Sequence, residues 1–143
     1  MILLRNAWEV LVVALAVALW FEAVPAHAQS PVLPRFLDDL PAAELVEGAV
    51  SYGEMRTDIP VVPVLKSGET IAWAFVTSDF VGTTGYSGKP IHTMVAIDDD
   101  ARVLGVELVK HSEPIVLIGI PDRKIRDMAA GYRGVDLVAE AAE

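Results

Sequence analysis

Apolar runs alternate with short polar punctuation along this chain, and the period of each run predicts its element. Within residues 71–76, Ile71, Trp73 and Phe75 point one way and Ala72, Ala74 and Val76 the other. That two-residue period predicts a strand with bulky packing on one face and close packing on the second. Residues 91–97 and 103–109 are apolar strands on either side of Asp98-Asp99-Asp100-Ala101, which predicts an antiparallel hairpin with an acidic tip. In its second strand Leu104, Val106 and Leu108 share a face opposite Glu107, so one side of the sheet is expected to be wetter there. Residues 59–65 are apolar but include Pro60 and Pro63. A proline cannot donate to a ladder, so an edge strand is the most this run is expected to form. Lys66-Ser67-Gly68-Glu69 then reads as a turn.

Helical spacing appears twice. Residues 36–48 read as one helix interrupted by Pro41, or as two short turns, with Leu37, Leu40, Leu45 and Val46 on an inward stripe. Pro121-Asp122 starts a second helix, with Ile125, Met128 and Ala129 at helical spacing and Gly131 and Gly134 closing it. Residues 29–35 are polar and proline-marked, which predicts an extended entry. Residues 115–120 are apolar apart from Gly119 and fit either a buried strand or a loop. The sum is an α+β domain, an antiparallel sheet with flanking helices. Pairing through the turn near Asp98 brings two polar segments to one end of the hairpin. Gly82 to Lys89 enters the first strand, and His111-Ser112-Glu113 leaves the second.

The N-terminus has a different pattern. Arg5 gives a positive start, residues 10–19 are an uninterrupted apolar run, and Ala26-His27-Ala28 supplies small residues where a signal peptidase cuts. Residues 1–28 are therefore expected to be a signal peptide and residues 29–143 an exported, periplasmic domain. The alternative is an uncleaved anchor that leaves the domain facing the periplasm. Glu22 stops the apolar run short of the roughly 20 residues a membrane span needs.

Charge and composition narrow the partners. A formal net charge of -9, from 20 acidic and 11 basic residues, argues against nucleic acid or an anionic membrane surface. The chain has no cysteine, which excludes disulfides, thiolate metal sites and cysteine nucleophiles.

The converging segments hold the candidate chemistry. A turn with Gly82, Gly85 and Gly88 presents consecutive backbone N–H groups, and with Lys89 beside it suits an anion such as phosphate, although such turns commonly just reverse the chain. Tyr86 suits stacking on a flat ring, or covering the edge of the core. His111 and Glu113 leave one strand end two residues apart, placed to face one cleft. They make a poor metal site, with His92 the one other histidine of residues 29–143 and no cysteine. No nucleophile elbow supports a serine hydrolase.

The run Gly85-Tyr86-Ser87-Gly88-Lys89-Pro90-Ile91, followed by His111-Ser112-Glu113-Pro114 and the stretch through Gly119 to Pro121, resembles the periplasmic flavin-binding domain of the NosR/NirI proteins. These are membrane proteins associated with nitrous oxide reduction and denitrification gene expression. The domain is similar in turn to the FMN-binding domains of NqrC and RnfG. The resemblance covers about residues 33–138. It implies an FMN-binding-domain-like fold and a cofactor site made by Gly85, Tyr86, Ser87, Gly88, Lys89, Pro90, His111, Glu113, Pro114 and Gly119. It implies an electron carrier or regulator of nitrous oxide reduction, without a substrate or catalytic residues of its own, whose partner is a membrane redox or maturation protein. Many relatives esterify FMN to a threonine just downstream. Here Val135-Asp136-Leu137-Val138 resembles the lead into that motif, but Ala139-Glu140-Ala141-Ala142-Glu143 has no hydroxyl, so noncovalent FMN in a truncated domain is expected. The alternatives are a cofactor-free interaction module, using the apolar residues 115–120, and a remnant without function.

Overall fold

The alternating runs pair in chain order. In the computed structural model, which describes residues 30–82, 84–114 and 119–142, five strands form one sheet: β1 (Ser51–Tyr52), β2 (Val62–Lys66), β3 (Glu69–Val76), β4 (His92–Ile97) and β5 (Val103–Lys110). Each is antiparallel to its neighbour, in the order β1-β2-β3-β4-β5. Short helices complete the α+β architecture: α1 (Ala42–Leu45), α2 (Asp122–Ala130) and α3 (Leu137–Glu140). The expected signal peptide lies outside the described residues, as do Ile115 to Ile118. No helix among the described residues is long and apolar enough to cross a membrane.

Register puts the small residues together. Val62 pairs with Ala74, Val64 with Ala72, Ala74 with Ala96, Val76 with Met94, and Ala96 with Gly105. These positions share one face, and all are buried. The N-terminal segment covers that face with Leu33, Phe36, Leu40, Ala42, Leu45, Val46 and Ala49. The approach is closest at Gly105, where a Cβ would fall on the backbone carbonyl of Leu45. The bulky residues on the other face of β3, Ile71, Trp73 and Phe75, are only partly buried. The close-packed side of β3 is therefore the core side.

Several expectations are corrected. The proline-bearing run is an inner strand, between β1 and β3. The carbonyl of Pro63 accepts from the Gly53 N–H at 2.8 Å, so its backbone edge faces the β1 side, where β1 has just ended. The missing donor therefore interrupts no long ladder. The ring is accommodated because residue 53 is glycine: a Cβ there would stand 2.6 Å from Pro63 Cγ. The entry is not extended throughout, since Leu33–Arg35 forms a 3-10 turn. Its position is held by Asp79, whose carboxylate accepts from the amides of Val32 (2.8 Å) and Leu33 (3.0 Å). Of the two readings of residues 36–48, the two short turns hold: residues 36–39 form a turn, and Ala42–Leu45 is a single helical turn immediately after Pro41. A register shift between Ala96 and Ile97 leaves Leu104 without a partner in the β4–β5 ladder. Besides Gly105, the buried residues of β5 are therefore Val103, Val106 and Leu108, and Leu104 is only partly buried. On α2, Met128 is 67% exposed, although Ile125 and Ala129 are half-buried.

Turn chemistry closes the hairpins. Ser67 (φ 52°) and Gly68 (φ 85°) form a two-residue turn with both residues left-handed, the geometry that matches strand twist. At the other hairpin, Asp98 Oδ1 accepts from the amides of Asp100 and Arg102, and Ala101 takes φ 59°. Beyond α2 the chain returns along the outer edge of β5. The Gly134 amide donates to Val103 (2.7 Å), the Val103 amide to Val135 (2.9 Å) and the Leu137 amide to Ala101 (3.2 Å).

Gly105→Ala is expected to destabilise the fold by about 3 kcal/mol or more, because a backbone carbonyl cannot yield as a flexible side chain would. Gly82→Ala, with open space around its added methyl, should leave the urea midpoint nearly unchanged. Equal midpoints for the two variants would refute the close approach.

Candidate functional site

The meander places three chain passages at one end of the sheet. β3 ends in a 3-10 turn, Thr77–Asp79, the loop of residues 80–91 leads into β4, and residues 111–114 leave β5. Within the loop, Thr84 bridges Pro90, the Gly85 amide donates to the Lys89 carbonyl (2.9 Å), and the Gly88 amide donates to that of Gly85 (3.0 Å). Gly88 takes φ 72°, a conformation for which glycine is the natural residue.

Glu113 joins this turn to the strand end beyond β5. Its carboxylate accepts from the Tyr86 amide at 2.8 Å, the Ser87 hydroxyl at 2.9 Å and the Ser87 amide at 3.4 Å. Gly85 leaves the room, since a Cβ there would fall on that carboxylate. The Glu113 amide in turn donates to His111 Nδ1 at 3.2 Å, which makes Nδ1 an acceptor and puts a neutral ring's proton on Nε2. Partial desolvation pushes the Glu113 carboxyl upward. Bonds from the Ser87 hydroxyl and the Ser87 and Tyr86 amides outweigh it and hold the group below the usual glutamate range.

The predicted site residues thus divide. Gly85, Tyr86, Ser87, Gly88 and Lys89 form one turn, and His111 and Glu113 meet it through the Glu113 carboxylate. Lys89, Pro90 and Pro114 are exposed. Gly119, with φ 93°, is exposed and has no atom within 4 Å of an added Cβ. Tyr86 is 95% exposed, so it does not cover the core edge. The amides have a different use from the one expected. The Lys89 amide donates to Ser87 Oγ at 3.3 Å, so every backbone N–H from Gly85 to Lys89 already has an acceptor inside the chain.

A second polar cluster at this end has no local sequence signal. His92 Nδ1 lies 2.6 Å from Ser78 Oγ, and its ring packs 5.4 Å from that of Phe36. Lys110 is its register partner across the hairpin. Burial lowers the His92 pKa, the cations Lys110 and Arg35 lower it further, and Asp79 partly opposes them. Two register shifts in the β4–β5 ladder bring His92 opposite Lys110, and neither they nor the contacts with Phe36 and Ser78 are announced by the local sequence. Among the described residues no group of three His, Asp or Glu side chains is arranged to hold a metal ion.

Comparison with known proteins bears on the whole span. The chain is 34% identical over 129 residues to Regulatory protein NosR of Pseudomonas aeruginosa, covering 90% of this chain and 16% of that protein. It is 36% identical over 85 residues to Regulatory protein NosR of Stutzerimonas stutzeri, covering 59% of this chain and 12% of the relative. Protein NirI of Paracoccus denitrificans is 34% identical over 91 residues, or 64% of this chain and 13% of its own length. The chain belongs with the NosR/NirI-type regulatory proteins. It spans only 12% to 16% of the length of these NosR and NirI relatives. No protein-family model matches it, and no solved structure does.

Two titrations follow from the site. Glu113 is held below its usual value when folded, so its stabilisation is present above the unfolded pKa of about 4.5 and lost as pH falls through the folded one. The Tyr86 and Ser87 amide resonances should shift with a midpoint below about 4.5, and a midpoint above it would contradict the assignment. His92 is also lowered, so the unfolded chain binds its proton first. Stability should fall as pH drops through about 6.5 toward the folded value, and His92→Gln should remove that part of the loss between urea midpoints at about pH 7.5 and 5.5.

Proposed function

We propose that this chain is a ligand-holding module of a NosR/NirI-type regulatory protein and that it takes up FMN noncovalently. One observation carries the reading: the Tyr86 ring stands 95% exposed on a turn whose backbone is tied, through Glu113, to the His111 segment. An aromatic side chain with nothing covering it, on backbone that is held in place, suits the face of a flat heterocycle. The name that two of the relatives carry, Regulatory protein NosR, favours a regulatory role.

The residues fit FMN in one part better than another. Its ring would lie against Tyr86, with the His111–Glu113 edge beside it. Its phosphate has no open amide between Gly85 and Lys89, which leaves the exposed Lys89 ammonium to hold it. When bound, FMN supplies one- and two-electron redox chemistry. The chain's own part is to orient the ring through Tyr86 and keep the His111 proton on Nε2. The wider reading is an exported domain that serves electron transfer to, or regulation of, nitrous oxide reduction, with a membrane redox or maturation protein as partner. A second reading is a periplasmic interaction module without cofactor. It is favoured by the apolar surface on the same loop, where Phe80 and Val81 are 49% and 50% exposed.

An absorbance spectrum of the chain purified from an exporting host separates the two. Flavin bands that denaturation releases, or uptake of added FMN, are expected, with Tyr86→Ala weakening FMN by about three- to tenfold. A colourless protein that takes up no added FMN would remove the flavin reading.

A further inference from the structure

The contacts of Glu113 assign it a role that does not depend on flavin: we infer that Glu113 is a positioning residue, the clip that holds the Tyr86 turn in place. The reason is that little else does. Among the described residues of the loop from Thr84 to Ile91, none is buried. Tyr86 is almost wholly exposed, and added Cβ atoms at Gly82 and Gly88 would meet nothing. The bonds of Gly85, Gly88 and Lys89 are internal to the turn and give it a shape without fixing where it stands. Glu113 lies 26 and 27 residues away in sequence and receives three donors from it. Hydrogen bonds to an ionised acceptor are stronger than neutral ones, so this contact outweighs the rest of the loop's ties.

A carboxylate is required there, not merely a polar side chain. Three donors converge on two acceptor oxygens. A glutamine would turn an NH2 group toward N–H or O–H donors and keep one oxygen for the others. Gly85 belongs to the same device, because its missing Cβ leaves the space the carboxylate occupies. Since no residue of the loop is in the core, the clip should govern the position of Tyr86 with little influence on the sheet.

Limited chymotrypsin digestion of the full chain, with cleavage sites read by mass spectrometry, tests this without any flavin. The peptide bond after Tyr86 should resist cleavage in the wild type despite the exposed ring, because a protease needs mobile backbone. Glu113→Ala and Glu113→Gln should each speed cleavage after Tyr86 by about tenfold or more, while cleavage after Trp73, inside β3, stays unchanged. Gly85→Ala should act in the same way, and adding it to Glu113→Ala should change little, because the clash it creates is then absent. Unaltered cleavage after Tyr86 would overturn the assignment. So would equal acceleration at Trp73, or effects of Gly85→Ala and Glu113→Ala that simply multiply.

Discussion

Close approach between a short helix and a sheet of small residues is the constraint on which the rest of this structure depends. Ala72, Ala74, Ala96 and Gly105 line up across three strands, and the Leu45 backbone comes down on the last of them. Larger residues at these positions would lift the N-terminal segment off the sheet. Leu33, Phe36, Leu40 and Leu45 would then lose the apolar surface they cover, at about 25 cal/mol per Å². The same segment is tied at its start by Asp79, which lies where β3 turns into the loop that carries Tyr86. Packing of the core and placement of the loop thus share a residue position.

The loop end of the sheet answers its electrostatic needs internally. A row of N–H groups in a tight turn is a natural anion seat, and here much of the anion is the chain's own Glu113. The arrangement leaves Tyr86 and Lys89 as the groups that face solvent without a structural duty. The cluster beneath, with His92 between Ser78, Phe36 and Lys110, is built differently: partial burial and two nearby cations favour a neutral imidazole, hydrogen-bonded through Nδ1 to the serine hydroxyl. One end of the sheet therefore joins an ionised glutamate clip above to a neutral histidine joint below.

Much was legible in the chain itself. A two-residue period in residues 71–76 and the two strands around Asp98 to Ala101 determined three of the five strands, their antiparallel sense and the end at which Gly85 to Lys89 meets His111 to Glu113. Turn residues were equally plain, because the conformation of Ser67-Gly68 and the Asp98 side-chain bonds are local properties. The relation to NosR and NirI was also readable, since long runs such as Gly85 to Ile91 do not need a fold to be matched.

Other features were decided only in three dimensions. That Pro63 sits inside the sheet depends on where β1 stops and on Gly53 opposite it, which lies ten residues away. Which face of β3 is the core depended on what packed against it, and the small face won because a backbone had to come close. The use of the turn amides turned on a carboxylate 26 residues downstream. Local sequence determines the period, turn type and donor count of a segment. Only the folded chain brings together the distant partner that occupies those donors, because that pairing is made by packing and not by neighbourhood along the backbone.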